Sequence, residues 1–98
     1  GQYNIGIHLM RTHAAGTFAM NCGFHGIPCI GYRGLDTQQI IHPNTTISVG
    51  DLNGAKEIAI RLNNDEEFYK YCSKEALYRF SEYYTEEKWL KNWKRTNK

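Results

Sequence analysis

Few prolines, few cysteines and no long apolar run characterise this sequence. It has two prolines, three cysteines and a formal net charge of only +2. No apolar stretch approaches the roughly 20 residues needed to span a bilayer, and no signal-peptide pattern is found. The small net charge gives no reason to expect nucleic acid as a partner. Because three cysteines cannot form a disulfide framework, we expect reduced thiols and a cytoplasmic protein.

The composition that remains is that of an ordinary globular domain. Apolar residues make up 41% of the chain and charged residues 22%, near the averages for folded proteins. A length of 98 residues suffices for one domain with a core but is short for a complete enzyme. We therefore expect residues 1–98 to form a single domain that is part of a larger protein.

The first third of the chain alternates between strand and helix patterns. Apolar residues alternate with small or polar ones over residues 3–10, which predicts a strand. A helix is expected from Phe18 to about His25, with Thr17 as its N-cap. Residues 28–32 then form a short apolar strand, with proline at its start.

A second alternation follows and ends in a clearly amphipathic helix. Asp36 is expected to cap a short helix over residues 37–42, and the β-branched residues 45–49 predict a third strand. Asp51 should cap the next helix. Its apolar face comprises Leu52, Ala55, Ile58, Ala59 and Leu62.

The remaining sequence predicts two further helices. Asp65 is expected to cap the first, with acidic residues in its first turn. Its buried stripe comprises Phe68, Tyr71, Cys72, Ala76 (or Glu75), Leu77 and Phe80. A separate C-terminal helix is expected over residues 83–98, capped by Thr85 and basic toward its end.

This order of elements predicts an α/β fold, a Rossmann-like partial parallel sheet of about three strands with flanking helices and a helical C-terminus. Strand–helix–strand alternation implies right-handed crossovers and parallel strands. A doubly wound domain normally has about five or six strands. We therefore expect the sequence to be truncated at its N-terminus.

One junction between a strand and a helix is a candidate phosphate site. Gly16-Thr17 is placed where a glycine would let phosphate approach the backbone and the first amides of a helix would bind it. One glycine before a helix is a weak signal, and on spacing alone a plain turn is the favoured interpretation. The spacing alone leaves both interpretations open.

Residues 13–30, HAAGTFAMNCGFHGIPCI, resemble the donor-binding segment of retaining GT-B glycosyltransferases of the family-4 type. Gly16, Gly26, Pro28 and Ile30 match the family pattern without a gap. Residues 34–38 fall where the family has a glycine-rich loop, and Ser48 to Leu52 resemble the strand end and Gly-Asp before the next helix. The resemblance extends from Ile5 to about Trp93.

The resemblance implies a fragment of the C-terminal domain of a glycosyltransferase, which binds a nucleotide-sugar donor and needs no metal or other cofactor. The acceptor would bind a missing N-terminal domain, and the 98 residues alone would be inactive. His13 and Asn21 stand where the family has two glutamates, so no catalytic residue is assigned. The implied donor-binding residues are His13, Gly16, Thr17, Asn21, Arg11, Arg33, Gly34, Leu35, Asp36 and Thr37.

The resemblance also implies a role for each part of this set. Gly16 and Thr17 would bind phosphate through their backbone, and Asn21 would bind the ribose. Residues 34–37 would lie near the donor sugar. Arg11 or Arg33 would offset the charge of the leaving diphosphate, which suits the arginine fork.

Two features have competing interpretations. Cys22, His25 and Cys29 form a C-x2-H-x3-C pattern, for which helix packing is favoured over a zinc site. The C-terminal helix carries Trp89 and Trp93 on an otherwise basic surface. It would contact the N-terminal domain, with packing on its own domain and membrane-surface contact as alternatives.

Two other functions also fit the sequence. One is a non-catalytic α/β interaction module, in which the Gly-Thr junction is only a turn. The other is a phosphate-binding fragment of a different Rossmann-like enzyme.

Overall fold

Three parallel strands form the centre of the molecule. The computed structural model describes residues 4–10 and 12–96, and the side chains among them as far as residue 85 except at position 13. The strands are β1 (Gly6–His8), β2 (Cys29–Tyr32) and β3 (Thr46–Ile47). They lie in the order β1-β2-β3, and both pairs are parallel. The predicted three-stranded parallel sheet is confirmed.

Helices connect and flank these strands in the order that the alternation predicted. They are α1 (His13–Phe24), α2 (Asp36–Ile41), α3 (Leu52–Asn64) and α4 (Glu66–Thr96), with a 3-10 turn at Pro43–Thr45 before β3. The fold is therefore α/β and Rossmann-like, with a helical C-terminal third. Among the described residues, no helix combines the length and apolarity needed to cross a membrane.

Two helix starts are where the sequence placed them. Asp51 caps α3, because its Oδ1 accepts a hydrogen bond from the Gly54 amide at 2.9 Å. Asp65 acts in the same way at α4, where its Oδ1 accepts from the Phe68 amide at 3.0 Å. Each cap satisfies an amide that has no partner within its helix.

The predicted start of α1 is wrong. The helix begins at His13 rather than Phe18, and its N-cap is Thr12 rather than Thr17. The Thr12 Oγ1 accepts from the Ala15 amide at 3.3 Å. The helix starts early because Ala14 and Ala15 have high helix propensity, which outweighs the cost of one glycine inside the helix.

Three other boundaries also differ from the prediction. Asp36 is the first residue of α2, and its cap position, Leu35, makes no side-chain hydrogen bond. The third strand is reduced to Thr46–Ile47 because the preceding residues form the 3-10 turn. The separate C-terminal helix capped by Thr85 is wrong, since α4 continues without a break from Glu66 to Thr96. No glycine or proline interrupts that stretch.

The sheet is covered on both faces. On one face α1 and α2 pack against it, as expected for two right-handed crossovers that proceed in the same direction. On the other face α3 and the first part of α4 complete an apolar cluster. That cluster comprises Ile30, Tyr32, Ile47, Ala55, Leu62 and Cys72.

The predicted apolar faces of α3 and α4 are partly wrong. Leu52, Tyr71 and Leu77 are each about half exposed or more, at 61%, 52% and 46%. Leu52 is the first residue of its helix and lies outside the buried cluster. Tyr71 lies on the solvent side, where its hydroxyl donates to Glu75 Oε1 at 3.1 Å. The buried stripes are therefore narrower than the helical spacing indicated.

The two ends of the sheet differ in how they are covered. At the amino ends of the strands, α4 passes beside the end of α1, where Ser73 Oγ donates to the Gly26 carbonyl at 2.6 Å. Phe80 packs edge-on against Phe24 there, with 5.7 Å between ring centroids. The carboxyl ends of β1 and β2 lead into the starts of α1 and α2 at the opposite edge. An open groove lies between those two helix starts.

Candidate functional site

The groove has a volume of about 450 Å³. It lies beyond the carboxyl ends of parallel strands, which is where ligands bind in open α/β sheets. Its walls are the first two turns of α1 and the start of α2. The lining residues are Thr12, Gly16, Thr17, Met20, Leu35, Asp36 and Thr37.

One face of α1 supplies the first wall. Thr12, Gly16 and Met20 recur every four residues and therefore lie on the same side of the helix. Gly16 lets the second wall come close, because a Cβ at this position would lie 3.3 Å from the Thr37 hydroxyl oxygen. The absence of a side chain at Gly16 therefore sets how close α1 and α2 approach at the groove.

The backbone of Gly16 does not have the position that the sequence prediction required. Its amide donates to the Thr12 carbonyl oxygen at 3.3 Å, so it lies within the first turn of α1 and not ahead of the helix. Thr17 follows it inside the same helix. Both residues line the groove, but Gly16 contributes shape to it rather than a free amide.

The structure brings together five of the residues that the sequence predicted for the donor site. Gly16 and Thr17 come from α1, while Leu35, Asp36 and Thr37 come from the segment that follows β2. Seventeen residues of sequence, 18–34, separate the two groups, and only the parallel arrangement of β1 and β2 places them side by side.

The other predicted residues lie elsewhere or outside the described residues. Asn21 is exposed on α1 and is not among the groove residues. Arg33 lines a separate cleft of about 330 Å³ with Gln39, Pro43 and Thr46. Gly34 forms the intervening turn, and its amide donates to Gln39 Oε1. Arg11 and the side chain of His13 fall outside the described residues.

Sequence reasoning missed two groove residues, Thr12 and Met20. Had the start of α1 been predicted correctly, both would have been expected in the groove, because they lie one helical turn before and one turn after Gly16. The signal was present, because Thr12 comes directly before a run of good helix formers and is itself a good N-cap.

A buried polar network below the groove ties α2 to the sheet. The Gln38 side chain is 2% exposed, and its Nε2 donates to the Cys29 carbonyl at 2.8 Å and to Thr46 Oγ1 at 3.1 Å. The Thr45 hydroxyl donates to the same Cys29 carbonyl. Buried polar groups must be paired, and every buried side-chain polar atom in the described residues has a partner.

His42 completes the network from the end of α2. Its Nδ1 accepts from the Cys29 amide at 3.3 Å, and its Nε2 faces the Ala19 carbonyl at 2.9 Å. This pairing corresponds to a neutral ring that carries its proton on Nε2. Burial lowers the pKa of His42 below its usual value, although the bond to Ala19 works in the opposite direction.

The cysteine–histidine pattern does not assemble into a metal site. Cys22 and Cys29 are buried beside Ala19, while His25 is exposed and packs against Phe24 with ring centroids 4.9 Å apart. The hydrogen bond between the two thiols, with burial, raises the pKa of Cys29. In the part of the chain that the structure describes, no three histidine, cysteine or acidic side chains are placed to hold a metal.

No family model, curated protein or solved structure gives a significant match to this chain.

Proposed function

We propose that this chain is the nucleotide-sugar-binding portion of a GT-B-type glycosyltransferase, and that the groove between α1 and α2 is part of its donor site. The observation that carries the proposal is that the groove gathers two separate predicted segments, Gly16-Thr17 and Leu35–Thr37. Its position at the carboxyl ends of parallel strands and the resemblance of residues 13–30 to a donor-binding segment support the same function.

The proposal assigns the diphosphate and the ribose of the donor to residues near the groove or outside it. Arg11 and His13 adjoin the groove residue Thr12 in sequence, and we assign them to the diphosphate. Arg33 lies in a separate cleft, and it would contact the diphosphate only from outside the groove. Asn21 would hold the ribose, at the end of α1 that lies away from the groove.

Transfer of the sugar requires a second domain in this proposal. The acceptor would bind an N-terminal domain that contacts the end of α4 around Trp89 and Trp93, and the reaction would occur in the cleft between the domains. The 98 residues alone would bind donor but show no turnover. The buried free thiols support a place in the reducing cytoplasm.

A titration with nucleotide sugars followed by amide NMR shifts tests donor binding. We expect millimolar UDP-, GDP- or ADP-sugars to shift residues 11–21 and 34–38, with one nucleotide preferred. Equal binding of the nucleoside diphosphate with and without its sugar would instead favour a phosphate-binding fragment of another Rossmann-like enzyme. No shifts in these segments would contradict the proposal.

A pair of variants locates the binding site. Thr17 is exposed at the groove, and Thr17→Phe should fill it and weaken donor binding at least about tenfold, since ligand pockets depend on shape. Asn63→Phe places the same ring on the exposed side of α3, on the other face of the sheet. It should leave the affinity unchanged.

One observation favours an interaction module as a second candidate function. Phe24 is 61% exposed although its ring packs on Phe80, which in turn stacks on Tyr84 at 5.5 Å. Exposed aromatic groups of this kind are enriched at protein interfaces. In that case the nucleotide-sugar titration would leave the groove residues unshifted.

A further inference from the structure

One wall of the groove carries an acidic side chain. Of the residues that the structure places along its walls, the only charged one is Asp36. Asp36 is exposed, and it takes part in none of the ion pairs found in the described residues. A phosphate or a carboxylate that lay beside Asp36 would therefore be repelled by its side chain.

The remaining lining suits a neutral, hydroxyl-rich group. Thr17 is exposed and Thr37 half-buried beside Gly16, so hydroxyl groups stand on both walls. Hydroxyls donate and accept hydrogen bonds, whereas a carboxylate accepts several. Met20 and Leu35 add apolar surface against which the C–H groups of a sugar ring can pack.

We propose that the groove holds the uncharged glycosyl group of the donor, and that Asp36 makes the site select against donor sugars that carry a carboxylate. The inference rests on the proposed donor-binding function and deepens it, since it names the class of sugar. The Asp36 carboxylate accepts hydrogen bonds from sugar hydroxyls, and it repels an acidic sugar that occupies the same place.

The expected size of the effect follows from Coulomb's law. Two unit charges about 4 Å apart in a water-filled groove repel by an amount that corresponds to about a fivefold change in affinity. A less hydrated groove would increase this factor. The carboxylate thus discriminates between neutral and acidic sugars, and it is not the main source of affinity.

The test compares donors that differ only in that charge. UDP-glucose and UDP-glucuronate differ at a single carbon, as do GDP-mannose and GDP-mannuronate, so the two pairs also cover two nucleotides. Calorimetry on the 98-residue chain should give a Kd about fivefold lower for the neutral sugar of the preferred pair. In Asp36→Asn, which keeps the size of the side chain but removes its charge, the two Kd values should come within about twofold.

A charge-matched control and the contrary outcomes complete the design. Glu82→Gln removes one exposed carboxylate on α4, away from the groove lining, and should leave the fivefold ratio unchanged. An equal Kd for both sugars in the unaltered chain, or the same ratio in Asp36→Asn, overturns the inference but leaves donor binding intact. Failure of every nucleotide sugar to bind at millimolar concentration overturns the inference and the proposed function together.

Discussion

The two faces of the sheet differ in how their helices are held. Under α3 and the first part of α4 the contacts are apolar, with Ile30 and Leu62 fully buried at the centre of the cluster. Under α1 and α2 a smaller apolar cluster around Ala19 and Cys22 is joined by hydrogen bonds to the backbone of Cys29, which come from the side chains of Gln38, His42 and Thr45. Apolar burial has no preferred direction, whereas hydrogen bonds do.

This difference matters for the groove. Only the polar face carries the groove, and the hydrogen bonds from Gln38 and His42 fix where α2 lies relative to β2. A shift of α2 would leave buried polar groups unpaired, at a cost of about 1–3 kcal/mol each. The polar network therefore holds the second groove wall in place, and the apolar face supplies general stability.

The largest effect is expected on the apolar face. Leu62→Ala removes a fully buried side chain and leaves a cavity, which should lower the free energy of unfolding by about 3 kcal/mol. Ile60→Ala, on the same helix but half exposed at 50%, should cost less than about 1 kcal/mol. Urea denaturation measures both. Similar losses in the two variants would show that α3 does not pack as described.

On the polar face, a single added methyl group should disturb the network. A Cβ at Gly31 would lie 2.5 Å from the Gln38 Oε1 and 2.7 Å from its Cδ. Gln38 cannot move aside without losing its buried bonds, so Gly31→Ala should cost about 2 kcal/mol. In a Gly31→Ala, Gln38→Ala double variant the clash disappears, and the loss should fall below the sum of the single losses. Additive losses would contradict the contact.

Helices α3 and α2 also differ in how they begin. Asp51→Ala removes the cap of α3 and should cost about 1 kcal/mol by thermal or urea unfolding. Asp36→Ala should change the stability by less than about 0.5 kcal/mol, because no side-chain cap bond exists at the start of α2. An equal loss of stability in Asp36→Ala would show that Asp36 caps α2, as the sequence predicted.

The smallest effect is a pH dependence specific to the polar face. The folded state lowers the pKa of His42, so the unfolded chain binds a proton more readily. The contribution of this residue is thus full above the unfolded pKa of about 6.5 and is lost as the pH falls toward the lower folded value. Between pH 7 and 6 the loss should stay below about 0.7 kcal/mol. It should persist in a His25→Gln variant and vanish in His42→Gln, as measured by unfolding at each pH.

Local signals in the sequence predicted the two helix caps that depend only on residues close together in the chain. The caps at Asp51 and Asp65 lie next to the amides that they satisfy, and both predictions are confirmed. Thr12 and Thr17 are both adequate caps for α1, and the helix propensity of Ala14 and Ala15, which the prediction did not weigh, favours Thr12. Thr85 resembles a cap but lies inside a helix that continues through it.

The candidate site was also predicted only in part, because its residues come from segments that are far apart in the chain. The sequence indicated Gly16-Thr17 and Leu35–Thr37 as separate segments, and five of these residues line one groove. It also grouped Arg33 with them, although the turn at Gly34 directs Arg33 to another cleft. The network around Cys29 was not foreseen, because its members come from α2, the 3-10 turn and two strands.

What the sequence determined by itself is the α/β alternation, the parallel sheet and the starts of α3 and α4, because hydrophobic period and capping chemistry act within a few residues. The tertiary structure alone decided how closely Gly16 approaches Thr37 and which residues share the groove. These features depend on contacts between segments that are distant in the chain. Their geometry is settled by packing and by the pairing of buried polar groups, for which no short stretch of sequence carries the information.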